Sequence, residues 1–311
     1  MQYKTDILKS TDGASICYYK WTAHTNVPFK GVVQIAHGLG EHAGRYDHMA
    51  TLLQEQGYAV YANDHRAHGK TAELKRLFGY YDGSDYFDDC VEDMYVLSNL
   101  MKTEHPNSKF ILFGHSMGSL LSRKYVTKYG TELDALILSG TASFIKGLGN
   151  IGLVTATAVT TFRGRARPNG LLKSFFFGEF NKKFKPNRTK LDWISSDEKQ
   201  VDLFAEDPYR IEDFSLGVFL DVIKNSKKLN KPEAFAATPK DLPILIFSGD
   251  KDPVGEMGKG VTRVAKQYEK RGISDLTFNL YEGGRHEMLN ETNSDAVKNE
   301  IIVWLNSRIQ D

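Results

Sequence analysis

The pentapeptide Gly114-His115-Ser116-Met117-Gly118 constrains this chain more than any other stretch of it. It follows the apolar run 110–113 and precedes a segment, 119–129, whose composition is typical of a helix. Glycines on both sides of a serine let a strand and a helix approach closely across a strained turn, which leaves the hydroxyl exposed at the edge of a sheet. The pattern therefore marks Ser116 as a candidate nucleophile. The alternative interpretation is a glycine-rich turn with an incidental serine.

A serine nucleophile needs a base to remove its proton and a carboxylate to orient that base. His286 lies in the loop after a predicted strand at 277–280, and Asp250 and Asp252 lie in the loop after a predicted strand at 243–248. Asp250 directly follows the glycine that ends this strand and could instead bond backbone amides of the turn. Asp252 lies farther along the loop. We therefore predict Asp252 as the acid.

Backbone N–H groups are also needed where negative charge develops on the carbonyl oxygen. The N–H of Met117, directly after the serine, is one candidate donor. The second is expected in the loop after an early strand, and the strand predicted at 31–36 ends in the glycine-rich loop 37–40. Leu39 has a glycine on each side, which allows the backbone to turn its amide inward. Leu39 is therefore the predicted second donor.

Four motifs carry a resemblance to a known family: HGLGEHAGRY at 37–46, DHRAHGK at 64–70, GHSMG at 114–118 and GRHE at 284–287. From about Asp12 to its end, the chain resembles the monoacylglycerol lipase and lysophospholipase group of the α/β hydrolases. The first motif is the specific one, because G-x-S-x-G and a late histidine occur across the superfamily. The chain departs from the family pattern at Ala67, where glycine is usual, and at Ser119, where a further glycine is common.

The resemblance implies an α/β class fold of the α/β-hydrolase type: a doubly wound, mostly parallel sheet with an inserted, mainly helical cap. It also implies that Ser116, Asp252 and His286 form a catalytic triad in the chain order serine, aspartate, histidine. Leu39 and Met117 are then the donors of the oxyanion hole. The chemistry implied is attack of the serine on a carboxylic ester, with the histidine as base.

The same resemblance suggests that Glu41 and Arg45 organise the polar end of the substrate pocket. His115 flanks the serine and is expected to shape this pocket rather than to bind a metal ion. Several histidines lie in the first half of the chain, among them His37, His42, His48, His65, His68 and His115. Their spacings do not form the H-E-x-x-H helix of a zinc site, and no phosphate-binding fingerprint is present. We therefore expect neither a metal ion nor a cofactor.

Apolar runs along the chain alternate between strand and helix patterns, as in a doubly wound sheet. A hairpin turn is predicted at Asp12-Gly13. After it, strands are predicted at 15–21, 32–36, 59–62, 110–113, 135–139, 244–248 and 277–280. Helices are predicted at 46–56, 85–102, 119–129 and 294–307. The alternation stops between about Thr141 and Asp241. We therefore predict a hydrolase core of two parts, 1–140 and 242–311, with a cap inserted at 141–241.

The predicted cap has an unusual composition. The stretch 151–159 is nearly uncharged, and Glu179 is the only acid among many basic and phenylalanine residues between Arg163 and Lys190. Apolar and aromatic residues beside basic ones favour a lid that touches an anionic lipid surface and lines an acyl tunnel. The alternative is an ordinary cap, with its phenylalanines in a core and its lysines in water. No nucleic-acid-binding motif accompanies the basic residues, so we do not expect nucleic acid as a partner.

Composition is in keeping with an intracellular enzyme. The formal net charge is +1, which excludes a chain-wide electrostatic commitment to nucleic acid. Cys17 and Cys90 are too few for a disulfide framework and fit a reducing compartment, and Cys90 falls on the apolar face of the helix predicted at 85–102. The first residues contain no apolar run typical of a secretory signal. A cytoplasmic location, with peripheral contact to membranes, is expected.

The sequence thus predicts a serine esterase that acts on a monoacyl lipid ester, either a monoacylglycerol or a lysophospholipid. A short-chain carboxylesterase or thioesterase with the same triad is the alternative among enzymes. A non-catalytic receptor or interaction module with a hydrolase fold is the alternative from another class. It is disfavoured because the chain has every part of the triad.

Overall fold

The computed structural model describes residues 3–144, 146–166 and 180–309. Its sheet has eight strands in the order β1-β2-β4-β3-β5-β6-β7-β8. The strands are β1 Lys4–Lys9, β2 Ser15–Trp21, β3 Gly31–Ala36, β4 Tyr58–Asn63, β5 Phe110–His115, β6 Ala135–Ser139, β7 Ile244–Gly249 and β8 Leu276–Tyr281. From β4 to β8 all neighbours are parallel, while β1 and β2 are antiparallel to their neighbours. The α/β-hydrolase class and all seven predicted strands are confirmed.

Strand β1 was not predicted from the sequence. It pairs with β2 across the Asp12-Gly13 turn, in which Gly13 takes a φ of +83° and the Ala14 N–H bonds Asp12 Oδ1 at 3.0 Å. Only Leu8 of its six residues is buried. An exposed edge strand of this kind lacks the apolar alternation from which strands are recognised.

Helices flank both faces of the sheet. They are α1 Asp47–Glu55, α2 Gly69–Glu73, α3 Tyr86–Glu104, α4 Met117–Tyr129, α5 Lys146–Arg163, α6 Glu198–Ala205, α7 Leu216–Leu229, α8 Pro232–Ala236, α9 Lys259–Lys270 and α10 Ser294–Asn306. The four predicted helices are thus present, and α4 begins two residues earlier than expected because its N-cap is Ser116 itself.

Two hydrophobic cores lie on the two faces of the sheet, because successive strand residues point to opposite sides. In β5, Leu112 belongs to the core beneath α3, α4 and α7, while Phe113 belongs to the core beneath α1 and α10. Cys90 is fully buried in the first of these cores, as its place on the apolar face of α3 predicted. Strands buried on both faces explain the near-continuous apolar runs in the sequence.

The segment between β6 and β7 holds α5, α6, α7 and α8 within the residues that are described. Helix α7 packs against α3, α4 and α5. The phenylalanines Phe175, Phe176 and Phe177 of the predicted lid lie outside the described residues. None of the helices in the described ranges is both long and apolar enough to cross a bilayer.

Candidate active site

Ser116 lies in a strained turn between β5 and α4, with φ of +52° and ψ of −119°. A left-handed φ in a residue other than glycine is uncommon and is held only by surrounding structure. Glycine is required on both sides. A Cβ at Gly114 would lie 2.4 Å from the carbonyl oxygen of Gly118, and one at Gly118 would lie 2.0 Å from that of Ala36. The turn therefore presents the serine side chain, which is partly exposed, at the carboxyl end of β5.

His286 and Asp252 complete a hydrogen-bonded chain with this serine. His286 Nε2 lies 2.8 Å from Ser116 Oγ, and His286 Nδ1 lies 3.0 Å from Asp252 Oδ2. Asp252 is fully buried and also accepts bonds from Ser248 Oγ and the Val254 N–H, both at 2.9 Å. The three residues come from the loops after β5, β7 and β8, which parallel pairing brings to one edge of the sheet.

Asp250, the other aspartate of this loop, points elsewhere. Its Oδ1 accepts the N–H of Gly283 at 2.8 Å, and its Oδ2 lies 3.2 Å from Lys251 Nζ. The geometry therefore brings Asp252, and not Asp250, to the histidine. Asp250 ties the loop after β7 to the loop after β8, a turn-bonding role of the kind considered for it from the sequence.

Electrostatics favour a charged acid beside a basic imidazole. Burial raises the pKa of Asp252, but the facing His286 and the bonds from Ser248 and Val254 outweigh it, so this pKa is lowered overall. Burial alone would lower the pKa of His286, and the Asp252 carboxylate reverses this, so the pKa of His286 is raised above its usual value. Such an imidazole accepts a proton from Ser116 readily, and the carboxylate stabilises the resulting cation.

The glycine-rich loop after β3 lies directly beside Ser116. A Cβ at Gly38 would be 3.2 Å from Ser116 Cβ. The N–H of Gly38 bonds Glu41 Oε1 at 2.6 Å, and that of Gly40 bonds His68 Nε2 at 3.1 Å. Among the described residues, no acceptor bonds the N–H of Leu39 or of Met117. These are the two amides that the sequence predicted as oxyanion donors.

Glu41 and Arg45 are joined in a buried ion-pair network. Arg45 Nη1 bonds Glu41 Oε2 at 2.7 Å, and the guanidinium also bonds both carboxylate oxygens of Glu287 at 3.0 and 2.8 Å. Tyr46 donates to Glu41 Oε1 at 2.9 Å. Burial would raise the pKa of Glu287, but Arg45 outweighs it and lowers this pKa to about 2. The network therefore connects the loop after β3 to the residue that follows His286.

His115 lies between the serine and this network. Its Nδ1 is 3.1 Å from Ser139 Oγ, and its ring centroid is 4.8 Å from that of His286. Burial and the neighbouring His286 lower the pKa of His115 to about 4. With Glu41, Arg45 and Glu287 it lines a small cavity of about 10 Å³, about the volume that one water molecule needs.

Some residues near the site were missed from the sequence. Glu287 could have been noticed because it directly follows His286 in the motif GRHE. Its ion pair with Arg45, however, joins residues 242 positions apart in the sequence. The ring of Trp193, from the segment between β6 and β7, packs at a tilt against the His286 ring, 5.2 Å between centroids, and against the Phe180 ring, 5.1 Å between centroids. Neither contact could be found from spacing.

Histidine clustering in this region does not form a metal site. Within the residues that the structure describes, no three histidine, cysteine or acidic side chains are grouped so as to hold a metal ion. The buried rings of His37, His65 and His68 pack against one another, with centroids 4.2 and 5.2 Å from that of His37.

The strand order, the strained serine between β5 and α4, and the histidine after β8 define an α/β hydrolase. A family model described as serine aminopeptidase, S33 matches residues 28–293. The chain belongs to this family of serine hydrolases.

Lipases and esterases are among the known proteins to which the chain is similar. It is 30% identical over 301 residues to a monoacylglycerol lipase of Mycolicibacterium smegmatis, covering 96% of this chain and 95% of that one. It is 26% identical to the human monoglyceride lipase, with 97% and 90% covered. The crystal structure of a carboxyl esterase from Bacillus coagulans, in complex with glycerol, superposes with a TM-score of 0.93 at 28% identity and full coverage of both chains.

Proposed function

We propose that the protein hydrolyses the carboxylic ester of a monoacyl lipid, a monoacylglycerol or a lysophospholipid, through an acyl-enzyme intermediate. One observation carries the proposal: the unbroken hydrogen-bonded chain from Ser116 Oγ through His286 to the buried Asp252. Membership of the serine hydrolase family and similarity to monoacylglycerol lipases support the reaction class and the substrate class.

In the first half of the reaction, His286 Nε2 takes the proton of Ser116 as Oγ attacks the ester carbonyl. Asp252 holds the imidazole by its Nδ1–H and stabilises its charged form. The N–H groups of Leu39 and Met117 bind the oxyanion. Collapse of the tetrahedral intermediate passes the proton from His286 to the leaving alcohol and leaves the acyl group on the serine.

In the second half, His286 takes a proton from water, whose oxygen attacks the acyl carbon, and then returns the proton to Ser116. The free fatty acid leaves. The same amides stabilise the second oxyanion, since each half passes through a tetrahedral intermediate. The cavity beside His115 is lined by Glu41, Arg45 and Glu287. Glu41, Arg45 and His115 thus shape the polar end of the pocket, with Glu41 and Arg45 acting through their mutual ion pair.

We further propose that residues 141–241 form a cap over this site and contact lipid surfaces. Ile151, Val154 and Phe162 on α5 are 59%, 70% and 89% exposed, which is unusual for large apolar side chains in water. Lys182 and Lys183 are exposed in the same segment. Exposed apolar side chains and exposed lysines within one segment suit an anionic membrane surface.

Vesicle sedimentation tests this second proposal. Replacing Lys182, Lys183 and Lys185 together with glutamine should weaken binding to vesicles rich in acidic lipid and leave hydrolysis of a soluble ester unchanged. A matched control replaces the exposed lysines of α9, namely Lys259, Lys266 and Lys270. Equal binding of the unaltered protein to acidic and neutral vesicles would contradict the proposal.

A panel of esters tests the main proposal. Monoacylglycerols and lysophosphatidylcholines of graded chain length, p-nitrophenyl acetate, and an amino-acid p-nitroanilide are compared by kcat/KM. We expect the monoacyl lipids to be the best substrates. The similarity to a carboxyl esterase favours a short-chain carboxylesterase as the second candidate, and a clear preference for the acetate would select it. Preference for the anilide would reject both.

A further inference from the structure

We propose that His37 is a positioning residue that turns the Gly38–Leu39 peptide so that the Leu39 N–H faces the reacting carbonyl. This inference deepens the proposed function, on which it rests. The observation behind it is a bond from the His37 side chain to the neighbouring backbone, with Nδ1 2.8 Å from the Gly38 carbonyl oxygen.

The peptide bond between Gly38 and Leu39 is planar and trans, which fixes the direction of its N–H relative to its C=O. The C=O of Gly38 and the N–H of Leu39 belong to one peptide and point in opposite directions. A side chain that holds the carbonyl oxygen on one side therefore fixes the N–H on the other. Among the described residues, His37 is the only partner of the Gly38 oxygen, and no acceptor bonds the Leu39 N–H.

The bond requires a proton on His37 Nδ1, and the structure determines where that proton is. The backbone N–H of His65 donates to His37 Nε2 at 3.0 Å, so Nε2 carries no hydrogen. A neutral imidazole then has its hydrogen on Nδ1, which donates to Gly38. Burial lowers the pKa of His37 well below its usual value, and the neighbouring His65 and His68 lower it further, which keeps the ring neutral.

The peptide before Gly38–Leu39 and the peptide after it are each held by another side chain, while His37 holds the Gly38–Leu39 peptide between them. Glu41 accepts the N–H of Gly38 at 2.6 Å. His68 Nε2 accepts the N–H of Gly40 at 3.1 Å, and its own Nδ1 lies 2.9 Å from the Arg66 carbonyl oxygen. Three consecutive peptides of the loop are thus fixed by three buried side chains. A flip of the middle peptide would aim a carbonyl oxygen at the oxyanion, which would oppose catalysis.

Two substitutions of His37 separate a role in turning this peptide from a merely structural role. His37→Asn keeps an N–H donor near the position of Nδ1 and loses the acceptor for His65. His37→Gln reaches the position of Nε2, so it keeps the bond to His65 and loses the donor to Gly38. His24→Gln, in the loop at the opposite edge of the sheet, is the control.

We expect His37→Asn to retain kcat within about tenfold, and His37→Gln to lose on the order of 10²-fold in kcat with little change in KM, as when one oxyanion donor is removed. If His37 only tethers the loop to His65, the order reverses. That reversed order, or equal kcat values for the two variants, would overturn the inference.

Two further measurements keep the inference testable in every case. If the unaltered protein hydrolyses none of the esters, the proposed function fails, and the same variants are compared by the rate at which a fluorophosphonate labels Ser116. If neither variant folds, nitrogen-15 NMR of the unaltered protein decides. We expect the His37 hydrogen on Nδ1, and a hydrogen on Nε2 would refute the proposed orientation.

Discussion

Replacing Asp252 by asparagine should cripple turnover, whereas the same change at Asp250 should not. Asp252 accepts three bonds on its two oxygens: the Val254 N–H on Oδ1, and Ser248 Oγ and His286 Nδ1 on Oδ2. Asparagine has a single oxygen. If that oxygen keeps the Val254 N–H, the amide NH₂ faces His286 and forces the hydrogen onto Nε2, where it blocks acceptance of the serine proton.

The other orientation of the asparagine is unfavourable. It sets the NH₂ against the Val254 N–H and leaves two buried donors facing each other, which costs about 1–3 kcal/mol. The wrong tautomer therefore dominates. In another enzyme with a serine–histidine–aspartate triad the equivalent change lowers kcat about 10⁴-fold, or about 5.4 kcal/mol in the activation barrier. Asp250→Asn keeps an oxygen for the Gly283 N–H, so we expect its free energy of unfolding to change by only about 0.5 kcal/mol.

The assay is steady-state hydrolysis of one soluble ester by the two purified variants, with melting temperatures measured in parallel. We expect Asp252→Asn to show the melting transition of a folded protein and to have lost nearly all of its kcat. If Asp250→Asn proved to be the more damaged variant, or if Asp252→Asn kept more than a tenth of kcat, the assignment of the acid would be wrong.

Three other outcomes are expected. Because the pKa of His286 is raised, kcat/KM should fall as pH drops, with a midpoint above about 6.5; a midpoint clearly lower would contradict the paired imidazole. Gly118→Ala places a methyl group against a backbone carbonyl, so soluble protein should be scarce or inactive; normal yield and turnover would show that the turn can relax. Arg45→Met leaves the buried Glu287 carboxylate without its partner and should lower the free energy of unfolding by about 3–5 kcal/mol. Arg263 is half exposed, so Arg263→Met should lower it by less than about 1 kcal/mol. Equal denaturant midpoints for the two variants would refute this.

Local patterns carried much of the fold prediction. The strand, glycine-flanked serine and helix at Ser116 lie within a few residues of one another, so their geometry can be read from composition and spacing. Strand β1 was not predicted because its side chains, apart from Leu8, face water and show no apolar alternation. The individual helices between β6 and β7 were not predicted because no regular alternation marked them; the resemblance implied only that the insertion there is mainly helical.

The site was predictable where a motif names the residue and unpredictable where two distant loops meet. Nothing in the sequence near Arg45 indicates that it pairs with Glu287, and nothing near Trp193 indicates that it packs against His286. Such contacts depend on the parallel strands bringing their carboxyl ends to one edge, and on the chain between β6 and β7 returning over that edge. The proposed roles of Glu41 and Arg45 accordingly came from the resemblance rather than from spacing.

The central claim, that Ser116 is the nucleophile, is tested most directly by labelling with a fluorophosphonate probe followed by peptide mapping. The unaltered protein should be labelled on Ser116 and lose ester hydrolysis in step with labelling. Ser116→Ala should melt at a similar temperature, take up no probe and lose activity by several orders of magnitude. Labelling at another residue, or hydrolysis by Ser116→Ala at a rate near that of the unaltered protein, would contradict the account.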